Sequence, residues 1–146
     1  VGGFTADYLL LKNGRADLST CDSLENGVIL LYNRIRSKAN SDLDILLEET
    51  DVDAILLQGQ GSSYGEAAAA LVEYQAQEFV NDMLGALRER QLDLRTGRVI
   101  FVGGGACLLR RQIEASGKVA HPVFVEDVNA NAKGFEYLYR CTVTEV

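Results

Sequence analysis

The residues of this sequence best suited to chemistry lie between Arg98 and Ala115, RVIFVGGGACLLRRQIEA. Val99, Ile100, Phe101 and Val102 are β-branched or aromatic without interruption, the composition of a strand covered on both faces. Gly103, Gly104 and Gly105 follow. With no Cβ at any of them, a flat ligand can lie directly on the peptide planes. From Ala106 the chain reads as a helix, whose first N–H groups and positive dipole end would face an anion in the crevice. Strand, glycines and helix in that order are the pattern of a nucleotide or phosphate site. A plain strand-to-helix turn uses the same residue types, so the glycines alone leave both readings open.

Other reactive groups are less well placed. The carboxylates Asp42, Asp44, Glu48, Glu49, Asp51 and Asp53 invite a calcium loop, but the glycine and closing glutamate of that loop are not at their offsets. They read as a solvated acidic face. Gln75 and Glu78 lie on a long helical stretch and read as surface positions. Cys21, Cys107 and Cys141 are odd in number, far apart and without CxxC spacing, which fits reduced thiols in a cytoplasmic protein. A formal net charge of −7, with no basic run to offset it, argues against direct nucleic-acid binding. No apolar run approaches the roughly 20 residues that span a bilayer, and no charged-then-apolar leader opens the sequence. No membrane role is expected.

The elements that must position these residues are legible in outline. At 146 residues, 47% of them hydrophobic, the chain suits one globular domain. It begins at Val1 rather than Met, already among strand formers, and reads as a piece of a longer protein. Phe4 to Lys12 and Arg15 to Asp22 form a hairpin about Asn13-Gly14. Ser23 or Asn26 can cap a helix running to about Lys38, with Val28, Leu31, Tyr32 and Ile35 at helical spacing. Ala39 to Gly65 reads as a small insertion ending in the loop GQGSSYG. Glu66 to Arg90 is a long helix with Leu71, Tyr74, Gln75, Phe79 and Met83 along one side. After the central strand and its helix come a strand at His121 to Val125 and a closing helix at Asp127 to Tyr139. Right-handed crossovers then predict an α/β fold, a mixed and mostly parallel sheet with helices on both faces and the antiparallel hairpin at one side. This is the ribonuclease H-like layout, and its ligand belongs at the carboxyl ends of the parallel strands, where Gly103 to Gly105 lie.

Val1-Gly2-Gly3-Phe4-Thr5-Ala6-Asp7 resembles the second phosphate motif of the actin and sugar-kinase superfamily, DxGGxTxD, without its leading aspartate. FVGGGACLL resembles the superfamily's adenosine motif, and NANAKGFEYL its last helix. The whole is similar to bacterial actin-like plasmid segregation ATPases of the ParM/StbA type, carboxyl half only. The resemblance implies one actin-like ATPase subdomain over residues 1–146, a partner half across an ATP cleft, and ATP with Mg²⁺ as cofactors of the complete protein. It places Gly2, Gly3, Phe4 and Thr5 at the phosphates, Asp7 at a hydrated cation, Gly27 near the ribose, and Gly103, Gly104, Gly105 and Ala106 under the adenosine. The aspartate that would orient the attacking water falls before Val1, so no catalytic residue is assigned within the sequence. The implied partners are further copies of the protein in a filament and a DNA-binding adaptor.

Chaperones and small-molecule kinases of the same superfamily share both glycine motifs. A ribonuclease H-like nuclease would need a carboxylate cluster, of which Asp7 is a first candidate without a convincing second or third, and a non-hydrolysing assembly module would use the glycines for packing alone. Within the insertion, Leu43, Ile45, Leu46, Leu47, Ile55, Leu56 and Leu57 are more apolar surface than so short a segment can hide by itself. They fold back on the long helix, or part of them meets a neighbouring copy.

Overall fold

The computed structural model describes residues 1–59, 63–127 and 129–144. The sequence expectations for the Gly59 to Gly65 loop and for the start of the last helix fall partly on residues 60–62 and 128, outside the described residues. Strands β1 (Ala6–Lys12) and β2 (Arg15–Leu24) form an antiparallel hairpin. Asn13 and Gly14, with φ of 52° and 76°, are both left-handed, the turn whose twist matches the strands it joins. Leu10 pairs with Asp17, yet Tyr8 pairs with Asp22, because β2 bulges between Asp17 and Asp22. A regular two-residue hairpin would set Thr20 opposite Asp7. The bulge sets Ser23 there instead.

Helix α1 (Val28–Leu43) runs one turn beyond the expected end near Lys38 and stops at Asp44, which takes the left-handed conformation (φ 54°). Its cap is Gly27, with no side-chain hydrogen bond, rather than Ser23 or Asn26. Helix α2 (Glu49–Gln58) opens with a reciprocal capping box: Glu48 accepts from the backbone at Asp51, and Asp51 accepts from the backbone of Glu48. Helix α3 (Glu66–Glu89) is the spine of the domain. It buries Ala68, Val72, Ala76, Phe79, Val80, Met83 and Leu84 against α1 and α2. The buried stripe is offset from the expected one, since Tyr74 faces out and Ala76 faces in. Alanines let the neighbouring helices come close, and the large side chains then fill the far end.

Strand β3 (Arg98–Val102) pairs in parallel with β4 (His121–Val125), Phe101 opposite Phe124. Between them the expected single helix is two short ones, α4 (Gly104–Leu108) and α5 (Arg110–Ala115), divided at Leu109. The expected mixed sheet is two separate two-stranded sheets, β1 with β2 and β3 with β4. The carbonyls of Gly2, Gly3 and Phe4 accept from the backbone at the start of α1. β3 is not covered on both faces, because Ile100 is 54% exposed opposite an exposed Val123. Helix α6 (Ala130–Thr144) lies away from that face, with Phe135, Leu138 and Tyr139 exposed.

The apolar residues between α1 and α3 divide cleanly. Leu47, Ile55 and Leu56 are fully buried, Leu43 and Ile45 are half-buried, and Leu46 and Leu57 stand out at 75% and 61% exposure. Polar contacts fasten the same segment. The Tyr32 hydroxyl donates to Asp53 at 2.5 Å, and burial together with that carboxylate pushes the phenol above its ordinary pKa. Arg111 donates to the Leu56 carbonyl at 3.0 Å and pairs with Glu73, which also accepts from the buried Gln112 amide at 2.8 Å. The core rests most heavily on Phe79, the largest fully buried side chain. Phe79→Ala should cost about 3–5 kcal/mol by urea denaturation; a loss under about 1 kcal/mol would show that α3 is not the spine described.

Candidate functional site

The two glycine segments meet in one junction. Backbone N–H groups of Gly27, Val28 and Ile29 donate to the carbonyls of Phe4, Gly2 and Gly3 at 3.2, 3.1 and 2.9 Å. The orphan donors at the start of α1 are therefore satisfied by the loop itself. Gly2 also donates to the Thr5 carbonyl at 2.8 Å, closing the loop into a tight turn. From the other side, the Val1 nitrogen donates to the carbonyl of Val102 at 2.8 Å, which lays the start of the loop along the end of β3.

The glycines of this junction have different reasons to be glycine. A Cβ on Gly27 would stand 2.2 Å from the Gly3 carbonyl oxygen and 2.3 Å from the Phe4 carbonyl carbon. Both are backbone atoms, so nothing can yield. Gly103 has φ of +103°, and its Cβ would meet the Val1 carbonyl at 2.7 Å; a Cβ on Gly105 would meet Val28 Cγ1 at 2.7 Å and the Val1 oxygen at 3.1 Å. These three let one backbone lie on another. Gly104 is exposed, and a Cβ there would meet nothing within 4 Å. Gly104 alone of the triplet presents a bare peptide to open space.

Asp7 sits at the start of β1, its carboxylate exposed. The Ser23 hydroxyl donates to one of its oxygens at 2.5 Å and the Thr5 hydroxyl to the other at 3.2 Å. Two hydroxyl donors fix the orientation of the carboxylate, which suits an outer ligand to a hydrated cation. Among the described residues no group of three or more His, Cys, Asp or Glu side chains is arranged to hold a metal, so a two-metal nuclease centre has no ligand set there.

Of the residues expected at a ligand, Gly2, Gly3, Thr5, Asp7, Gly103, Gly104, Gly105 and Ala106 belong to this junction or its edge. Gly27 is buried beneath Gly3 and Phe4, Ala106 is buried in α4, and the Phe4 side chain points to solvent, 79% exposed. The dipole expected behind the triplet is that of a five-residue helix, with fewer aligned peptides than a continuous helix would bring. The Ala106 and Cys107 N–H groups both donate to the Gly103 carbonyl, at 3.1 and 3.2 Å, and are not available to a ligand. Behind the crossing, Phe101 and Phe124 stack with centroids 5.1 Å apart, and the Arg110 guanidinium lies 5.1 Å over Phe124. This wall makes the carboxyl end of the parallel pair rigid.

Sequence reasoning missed Ser23 as the partner of Asp7 and Val28 as the side chain against Gly105. The first depends on the bulge in β2, which no local signal announces. The second was open to inspection, since Val28 begins the very helix that Gly27 caps.

Over residues 1–115 the chain matches the family model described as archaeal actin homologue MreB-like, C-terminal, and the chain belongs to that family. No curated protein matches it. The junction makes a prediction that discriminates among its glycines. Gly27→Ala should cost about 3 kcal/mol or more, because backbone meets backbone, whereas Gly104→Val should leave stability within about 1 kcal/mol. Thermal or urea melts of the two variants check this, and equal destabilisation would remove the distinction between packed and open glycines.

Proposed function

We propose that this member of the archaeal actin-homologue family is the nucleotide-binding carboxyl half of an ATPase that assembles into filaments with ATP and Mg²⁺. The observation that carries the reading is the junction of two glycine segments at the carboxyl end of a parallel strand pair, where Gly104 presents a bare peptide to open space. A base or ribose would lie on Gly104, with Gly103, Gly105 and Ala106 shaping the shelf beneath it. Gly2, Gly3, Phe4 and Thr5 would bring backbone and a hydroxyl to the phosphates, and Asp7 would hold the hydration shell of Mg²⁺, which binds through few protein carboxylates. Gly27 serves this arrangement from below, by letting the loop sit on α1. Bound ATP supplies the phosphoanhydride, and the residues of this chain supply position. The ribonuclease H-like architecture belongs to the same proposal: a joined sheet would extend the single Val1 to Val102 contact into a ladder.

Filament formation is supported by the family match and by the two leucines left outside the core. Leu46, just before α2, and Leu57, in its last turn, stand on the segment read as an insertion, and a head-to-tail contact between copies would cover them. Plasmid segregation of the ParM/StbA kind would in addition need a DNA-binding adaptor, because a chain of net charge −7 has no electrostatic footprint for DNA. The setting of this activity would be cytoplasmic; among the described residues no helix is long and apolar enough to cross a membrane.

In the complete protein, calorimetry should show ATP affinity reduced at least about tenfold in Gly104→Val. Unchanged affinity would remove the adenosine shelf. Light scattering with ATP and Mg²⁺ should rise for the parent and stay flat for the Leu46→Asp, Leu57→Asp double variant, whose ATP affinity should stay within about twofold of the parent's. A variant that polymerises like the parent would place the contact elsewhere.

A further inference from the structure

A second cavity lies at the opposite end of the parallel strands. It has a volume of about 330 Å³ and is lined by Arg88, Arg95, Gly117 and Lys118. β3 begins three residues after Arg95 and ends at Val102, so the strand's own length, about 16 Å for five residues, separates this cavity from the glycine crossing. Nothing in the nucleotide reading uses it.

Its walls are built rather than incidental. The Asp93 carboxylate accepts from the backbone N–H groups of Arg95 and Thr96 at 2.8 and 3.2 Å and from the Thr96 hydroxyl. These bonds hold its pKa below the ordinary carboxylate value and spend its oxygens on the turn rather than on a cation. The turn aims Arg95 across to the α5 end, where Nη1 donates to the Gly117 carbonyl at 2.5 Å. Gly117 is left-handed at φ +63°, and the Lys118 N–H beyond it is received by the Ser116 hydroxyl at 3.2 Å. Arg88 comes from the last turn of α3.

Three cations thus line one small cavity, and among the described residues none of them is ion-paired to a carboxylate. In a protein with 21 acidic residues and 14 basic ones this is an unusual allocation. Two guanidiniums and an ammonium without counter-charge repel one another, and a dianion between them relieves that repulsion with forked hydrogen bonds. The volume sits at the lower end of the roughly 300–1,000 Å³ of small-molecule sites. A phosphate group with a small organic substituent is of a size to fit that volume.

We propose that this cavity is an anion site for phosphate or a small phosphate monoester, independent of the nucleotide shelf. The test is titration of the complete protein, at ionic strength held constant with chloride, followed by backbone NMR shifts and calorimetry. Inorganic phosphate and glycerol 3-phosphate serve as separate arms, and they decide between a free anion and an ester. Saturable binding of either, with a dissociation constant of about 1 mM or tighter and shifts centred on Arg95, Gly117 and Lys118, is expected. Arg88→Ala and Lys118→Ala, checked for native circular dichroism, should each weaken it at least about fivefold. Gly104→Val should leave it unchanged. The proposal is overturned by no saturable binding in either arm, by binding that both cation variants retain, or by binding that Gly104→Val abolishes. Concentration-dependent self-association lost in Lys118→Ala would overturn it too, by assigning the cavity to carboxylates of a second copy.

Discussion

The structure depends on backbone lying against backbone where Gly2 to Phe4, Gly27 and Gly103 to Gly105 converge. Side chains can repack around an error, but peptide planes cannot, and here at least one missing Cβ is required on each side of the contact. The junction consumes hydrogen-bonding capacity as well as space. It takes the first donors of α1, which in most helices would be left to a capping side chain or to water. What remains outside is small and well defined: the faces of Gly2 and Gly104, the Thr5 hydroxyl and the Asp7 carboxylate. A site framed this way owes its shape to the fold, with little side-chain entropy to lose when something binds.

The same constraint explains how α2 and its flanks are attached. α1 starts at the junction and α5 follows the glycine crossing after the short α4, and each makes a polar contact to α2: Tyr32 to Asp53 from α1, and Arg111 to the Leu56 carbonyl from α5. Buried Leu47, Ile55 and Leu56 add the apolar part of the attachment. Two helices that start at or near the glycine crossing thus both contact α2. That is the physical route by which occupation of the junction would bear on the exposed Leu46 and Leu57.

Local chemistry made much of this legible in the sequence. Asn13-Gly14 declared its turn because both residues accept positive φ, and His121 to Val125 declared its strand by composition bounded with turn residues. The long periodic stretch from Glu66 onward could be nothing but a helix, though which alanines faced the core was not visible, since alanine is at home on either side. The failures are long-range. The hairpin's shift in register arises inside β2 and hands Asp7 to Ser23. The break at Leu109 divides a run whose composition favours a continuous helix. The sheets stay separate, and the carbonyls of Gly2 to Phe4 are claimed by α1, a segment more than twenty residues away in sequence. For the candidate site, the glycine positions could be read directly, but not which were glycine for packing and which for an open face. That distinction needs the neighbours.

The central claim, that the junction leaves one nucleotide shelf with its phosphate end at the Gly2 turn, is tested most directly by amide NMR of the complete protein with a non-hydrolysable ATP analogue and Mg²⁺. The account predicts the largest shifts at Gly2, Thr5, Asp7 and Gly104, with the buried amides of Leu31, Ile35 and Phe79 unmoved. Saturating analogue that leaves Gly2 and Gly104 unshifted while moving amides elsewhere would contradict it.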